Sequence, residues 1–240
     1  MGSNKLMKHT SVLSALLVGA SVAVVTTAAR PAAAITTSFS FQNIPGGDTF
    51  GDLLVDQFTL DIVDLSSNIV QFRFNNIIPS GSSQTARIDQ VAFSVDPTIS
   101  GLLSNIVLNV DNVGVVDFQS STQNLSQSNL IAGWDGTTFG AVRVPGGGNT
   151  SPVNKSETLG INFTANANYS AVIAAITNRK LQTGIHVVSI LPGGKSDSFV
   201  NSATSTPVPE PITMLGLGVG TLGLGALKRR YGNKKTKVTV

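Results

Sequence analysis

The sequence predicts an all-β fold, an antiparallel β-sandwich or jelly-roll-like domain with one short helix, set between two targeting segments. Three observations carry that expectation. Apolar residues in the middle of the chain recur at every second position, the period of a strand with one buried face. Turn formers such as "IPGGDTFG" and "VPGGGNTSP" separate these runs at short intervals, which suits hairpins better than crossover helices. The 240 residues include no cysteine, so the fold must stand on packing, without disulfides or thiolate metal ligands.

The formal charge of +3 is misleading, because the positive side chains crowd the two ends. Residues 35–206 carry seven basic and twelve acidic residues, a net of −5. The basic balance therefore points to no nucleic acid partner, and the aromatic residues of the middle sit mostly at strand positions rather than on a stacking surface.

Lys5 and Lys8 precede an apolar run from Val12 to Val25, which is followed by Ala32-Ala33-Ala34. Charge, length and small residues in that order make residues 1–34 a secretory signal peptide for the secretion translocon, cleaved after Ala34. The 14-residue run is short of the ~20 residues that a spanning helix needs.

Strand patterns then follow one another. Phe39 and Phe41 alternate with polar neighbours, as do Phe58, Leu60 and Ile62. The same holds for Val70, Phe72 and Phe74, while Val91, Phe93 and Val95, and Ile106, Leu108 and Val110, recur at every second position. In "NYSAVIAAITNRK" the spacing changes: Tyr169, Val172, Ile173 and Ile176 fall on one helical face. This predicts a helix over Ser170–Arg179, packed on one face of the sandwich and ended by "QTG". "TGIHVVSI" resumes as a strand, read as the last of a single domain spanning 35–200. The small, polar, proline-bearing stretch at 201–207 reads as a linker.

Chemistry-bearing residues are few. His186 is the one histidine after the signal peptide and so the one candidate base for a Ser-His-Asp triad. It shares strand parity with Val188 and Ile190, which makes it a half-buried structural residue instead. "GGKS" at 193–196 lacks the upstream glycine and following helix of a phosphate loop, and reads as a turn between strands. Asp48, Asp52 and Asp56 surround a Gly-rich loop and are weak calcium candidates, with solvated loop acids as the plainer reading. No other cofactor is expected. A carboxylate hydrolase would need two acids facing each other across a cleft, and spacing alone selects no pair. Trp134, in "AGWDGTTFG", is either a platform for stacking a sugar ring or a plug at one end of the sandwich.

The tail is more specific. Ile212–Leu227 is an uncharged run rich in Gly and Leu, about 24 Å long as a helix and able to insert with basic side chains covering the deficit. Lys228, Arg229 and Arg230 follow and would hold that end on the cytoplasmic side. Before it stand Val208, Pro209, Glu210 and Pro211, whose prolines keep the backbone extended. Triplet, span and basic cluster in this order resemble the PEP-CTERM sorting signal of exported bacterial proteins, across residues 208–240. The resemblance implies recognition and cutting near the triplet by exosortase, an integral membrane cysteine protease of organisms that make exopolysaccharide. Pro209, Glu210 and Pro211 would be the recognition motif, and Arg229 and Arg230 the retention charges. Ten residues, "YGNKKTKVTV", follow Arg230 where many members stop sooner; a permanent, uncut anchor is the other reading of the same segment. The stretch "YSAVIAAI…GIHVVSI…GGKSDSFVN" also resembles the ends of many all-β PEP-CTERM proteins, which implies a shared fold and no activity.

The sequence thus predicts a non-enzymatic, exported protein, anchored through its C-terminus and then at the cell surface or outside it, with a structural or adhesive role in an extracellular matrix. A carbohydrate-binding module acting on exopolysaccharide is the alternative.

Overall fold

The computed structural model describes residues 34–146 and 151–207. The signal peptide apart from Ala34, and the tail from Val208 onward with its triplet, apolar span and basic cluster, lie outside the described residues. Ala34 itself is exposed, two residues before the first strand.

Among the described residues ten antiparallel strands form a single sheet. In chain order they are β1 (Thr36–Asn43), β2 (Phe58–Asp64), β3 (Ile69–Asn76), β4 (Arg87–Val95), β5 (Leu103–Val107), β6 (Phe118–Ser120), β7 (Phe139–Arg143), β8 (Glu157–Ala165), β9 (Leu181–Ile190) and β10 (Lys195–Pro207). One helix, α1 (Tyr169–Thr177), separates β8 from β9. The spatial order is β5-β8-β3-β2-β1-β10-β9-β4-β7-β6. The expected two-sheet sandwich is therefore corrected: one sheet curls into a half-barrel and brings its own two halves face to face. Strand twist accumulates across a wide sheet, and curling lets a single sheet bury one of its faces.

The alternation seen in sequence is what lines the inside. Phe39, Phe58, Leu60, Ile62, Phe72, Phe74, Val91, Phe93, Leu159, Ile161 and Phe163 are fully buried. Phe93 of β4 meets Phe72, Phe74 and Phe163 from the opposite half edge-on, with ring centroids 5.1 to 5.7 Å apart. Edge-to-face pairs contribute ~0.5–1.5 kcal/mol each beyond their buried area. Helix α1 closes one end of this core with Val172 and Ile176. Its start is fixed by Asn168, whose side chain accepts from Ala171 N. Its Tyr169 hydroxyl donates to the Ile62 carbonyl and pairs with the Thr37 hydroxyl, at 3.0 and 2.8 Å.

Several expected boundaries move. The helix ends at Thr177 because Arg179 turns left-handed, and "QTG" belongs to β9. β5 stops at Val107, since Asn105, Asn109 and Asp111 all take positive φ and bend the chain; Asn and Asp tolerate that region best among side-chain-bearing residues. β9 is not the last strand, and 201–207 is not a linker. Those residues complete β10, pairing with β1 as far as Thr37↔Pro207. Small polar residues and a proline suit a strand end paired on one side as well as they suit a linker, so composition could not separate the two.

Two irregular segments cover the outer faces of the two halves. The chain after β5 follows the β8 edge, with Val110 N donating to Gly160 O at 2.9 Å and Val113 bridging Thr158. It also folds over the sheet, so that Gln71 Nε2 reaches Asp111 at 3.1 Å and Gln71 is wholly buried on the outer side. On the other half, 121–136 lies over β9 and β4, where Leu125, Ile131 and Trp134 form a second small cluster with Ala92 and Val200. Each cover sits on a glycine: a Cβ on Gly160 would collide with the Val110 carbonyl, and one on Gly184 with Leu125.

That contact predicts a contrast. Gly160→Ala forces backbone against backbone and lowers stability by ~1–3 kcal/mol. Gly81→Ala, with nothing within 4 Å of the added carbon, stays within about 0.5 kcal/mol of the parent. Urea unfolding of the two variants measures the difference.

Candidate functional site: the sorting junction and an outer polar groove

The predicted polar residues divide into those the fold uses up and those it leaves facing solvent. His186 belongs to the first group. It lies on the outer side of β9, with Val188 but opposite the core residues Ile185 and Val187. Ile190 does not share that side: Ser189 takes a positive φ and returns Ile190 to the core. Cross-strand register places His186 between Gln90 of β4 and Ser198 of β10, and its Nδ1 is 2.9 Å from Ser198 Oγ.

An acid immediately precedes Ser198 in sequence, yet no triad results. Asp197 and Ser198 are neighbours on one strand, so their side chains leave by opposite faces. The Asp197 carboxylate is buried on the inner side, accepting from Gly51 N and from Ser198 N at 2.8 Å each. Burial pushes its pKa up, and those two amides only partly oppose the shift. Burial lowers the His186 pKa, against the opposing charges of Asp89, Asp197 and Asp48. The arrangement is a structural hydrogen bond in which a neutral imidazole fits best.

The three calcium candidates are not gathered. Asp48 pairs with Gln127, which donates to it through Nε2 at 2.9 Å and accepts from its backbone N–H at 3.2 Å. Asp52 and Asp56 lie on a 3-10 helix, Asp52–Gln57. Among the described residues no three His, Cys, Asp or Glu side chains converge. Lys195 of "GGKS" opens β10 and lies over the Phe50 ring at 4.8 Å, so that stretch is indeed a turn between two strands. Trp134, half-buried and itself part of the 121–136 cover, packs on the second cluster with its indole Nε1 buried without a partner. It is not held out as a platform.

An open groove of about 440 Å³ lies elsewhere, on the outer face of β2, β3 and β8, among Thr59, Asp61, Asn75, Ile77, Glu157 and Thr158. Thr59, Asn75 and Thr158 form one cross-strand row. Asn75 Nδ2 donates to Thr59 Oγ1 at 3.1 Å and to Asp61 Oδ2 at 2.9 Å, and its Oδ1 accepts from Thr158 Oγ1 at 2.8 Å. Ser38 donates to the other Asp61 oxygen. Glu157 is held at the rim by Val115 N and by the Asn154 backbone and side-chain amides. Ile77, half exposed, is the apolar element. The sequence places Thr59, Asp61 and Asn75 beside the apolar positions of its strand runs, while the strand carrying Glu157 and Thr158 is not among those runs; the register that makes them one surface joins residues 16 and 83 apart.

The other end of the same half bears the junction. β10 runs paired to Pro207, and the triplet begins two residues later, at Pro209. A curled antiparallel β domain whose central strand leads without a spacer into Pro-Glu-Pro, an apolar run and a basic cluster defines a domain carried on a C-terminal sorting tail. Residues 207–230 match the family model of the PEP-CTERM protein-sorting motif. The chain therefore carries that motif, the mark of an exported protein sorted to the cell envelope through exosortase. No curated protein and no solved structure matches the chain.

The imidazole has a pH consequence. A folded pKa below the ordinary 6.5 means the unfolded chain takes up the proton first. The His186 contribution is therefore complete above about pH 6.5 and is lost as pH falls below it. Asp197 has the opposite sign, favouring the fold at low pH and losing that advantage as pH rises from 3.8 through its raised value. The difference between parent and His186→Gln isolates the first effect: thermal scans from pH 7.5 to 5 show the parent losing more stability than the variant.

Proposed function

We propose that this protein is a non-enzymatic, exported surface protein, delivered by its sorting tail to a structural or adhesive role in a polysaccharide-rich extracellular matrix. The carrying observation is the sorting motif at 207–230 joined without a spacer to a folded, cysteine-free β domain. A domain sealed by packing and by two outer covers suits an environment where intracellular folding help is absent. Truncation after Pro207 tests the delivery: the surface-bound fraction falls at least tenfold and the domain appears in the medium. An unchanged surface fraction refutes the reading.

The outer groove supports the second reading, a carbohydrate-binding module, at a different place from Trp134. Hydroxyl, amide and carboxylate groups fixed by mutual hydrogen bonds beside one apolar side chain match the alternating polar and C–H faces of a sugar. The lining contains two acids and no Lys or Arg, which favours a neutral glycan over an acidic one. A hydrolase would have to use Asp61 and Glu157, but all four of their oxygens already accept hydrogen bonds. That supports holding over cutting. Asn75→Ala removes the centre of the row and weakens binding of a neutral polysaccharide roughly fivefold, the equivalent of about 1 kcal/mol. Affinity electrophoresis in gels containing neutral or acidic polysaccharide measures it, with circular dichroism to establish that the variant is folded.

A further inference from the structure

We infer that the last segment of β10, Ser202–Pro207, serves two partners in turn: strand β1 in the finished domain, and the extended-peptide cleft of the membrane peptidase that reads the sorting motif. The inference rests on the reading of the tail as a processed signal.

Pairing between β10 and β9 ends at Val200↔Gly184. Beyond that point the regular partners of β10 are on β1 alone: Phe39↔Ser205, Ser38↔Thr206 and Thr37↔Pro207. The register slips between Phe39 and Phe41, so this terminal patch is separated from the main ladder by an irregular stretch. There Thr204 N donates to Ser202 Oγ and Ser202 Oγ donates to the Thr204 carbonyl, at 3.0 and 2.8 Å. Phe199, Val200 and Asn201 are buried, whereas 202–206 are half-buried or exposed. Fraying back to Ser202 therefore withdraws no large side chain of the segment's own from the core.

The motif match begins at Pro207, the last residue of the strand. Four residues, 208–211, separate it from the apolar run that starts at Ile212, a reach of ~13 Å when extended. A cleft that binds an extended substrate does so largely through backbone N–H and C=O groups. For a cut near the triplet, the residues on its N-terminal side are those whose backbone groups face β1. The two partners compete for one strand, and the fraction of time that Ser202–Pro207 spends off β1 limits processing. The cut breaks one peptide C–N bond; water or an amine acceptor takes the acyl carbon and the leaving nitrogen gains a proton.

The absence of cysteine makes a lock straightforward to build. The full chain carrying Ser38→Cys and Thr206→Cys, at positions directly opposed on β1 and β10, is expressed in cells that process the parent tail. It is oxidised with diamide, and bond formation is read on non-reducing gels. The oxidised form is expected to be processed at least tenfold more slowly than the same protein after dithiothreitol, with each single variant processed like the parent. Inserting six Gly/Ser residues between Pro207 and Val208 supplies the missing spacer and restores processing of the locked form. Equal processing of oxidised and reduced protein overturns the inference, as does a locked form that the spacer does not rescue. A parent chain whose tail is never cut overturns the reading of the tail, and this inference with it.

Discussion

The pairing of β10 with both β1 and β9 is the constraint on which the rest of the fold depends. On one side stand β1, β2, β3, β8 and β5, and on the other β9, β4, β7 and β6. Among the described strands β10 is the one whose two ladders join the groups into one sheet. The Phe93 cluster needs both groups, since its rings come from β3, β4 and β8. Core formation and sheet completion are thus coupled through the last of the described strands. Long-range pairing of this kind carries a high loop-closure cost, and a strand that arrives last in synthesis and export leaves the two halves unjoined until it does.

The outer faces show how a single sheet avoids exposing what it cannot solvate. The inner face is filled by alternating apolar side chains, which leaves buried polar groups such as Gln71 and Gln182 on the outside to be paired. The covers do this with backbone carbonyls: Val110 O and Ala132 O accept from those two glutamines. Close approach of a second chain segment to a strand requires a residue without a Cβ, which is the role of Gly160 and Gly184. The part of the outer face around Asn75 is left uncovered and pairs its polar groups with one another, and that is why it persists as a groove.

Much of the fold was legible because period-two patterns report directly on a one-sided core. Phe39, Phe58, Phe72 and Phe93 stand where alternation places inward residues. Sheet count was not legible, since inward positions look alike whether they face a second sheet or the far half of the same one. Local reversals escaped as well: positive φ at Asn105 and Ser189 changes which face the next residues occupy, and neither type announces it as glycine would. The stretch 201–207 was misread because polar composition reports exposure, and the end of a strand that is paired on one side is exposed. As for the site, His186 was legible as structural, while Trp134 belongs to a cover that no spacing rule places over the sheet. Asn75 and Thr158 were missed because a cross-strand row is a property of register.

The register Thr37↔Pro207 sets the mechanical character of the domain. The start of β1 and the last strand residues before the triplet are antiparallel neighbours, so the two ends of the sheet leave from the same point. A pull between those ends would peel β1 from β10 one hydrogen bond at a time. Load entering through the tail and leaving through a surface on the far side of the sheet instead drags β10 lengthwise, and its bonds to β1 and β9 share the force. A pull applied through this strand against the far side of the sheet therefore loads the domain along its resistant direction.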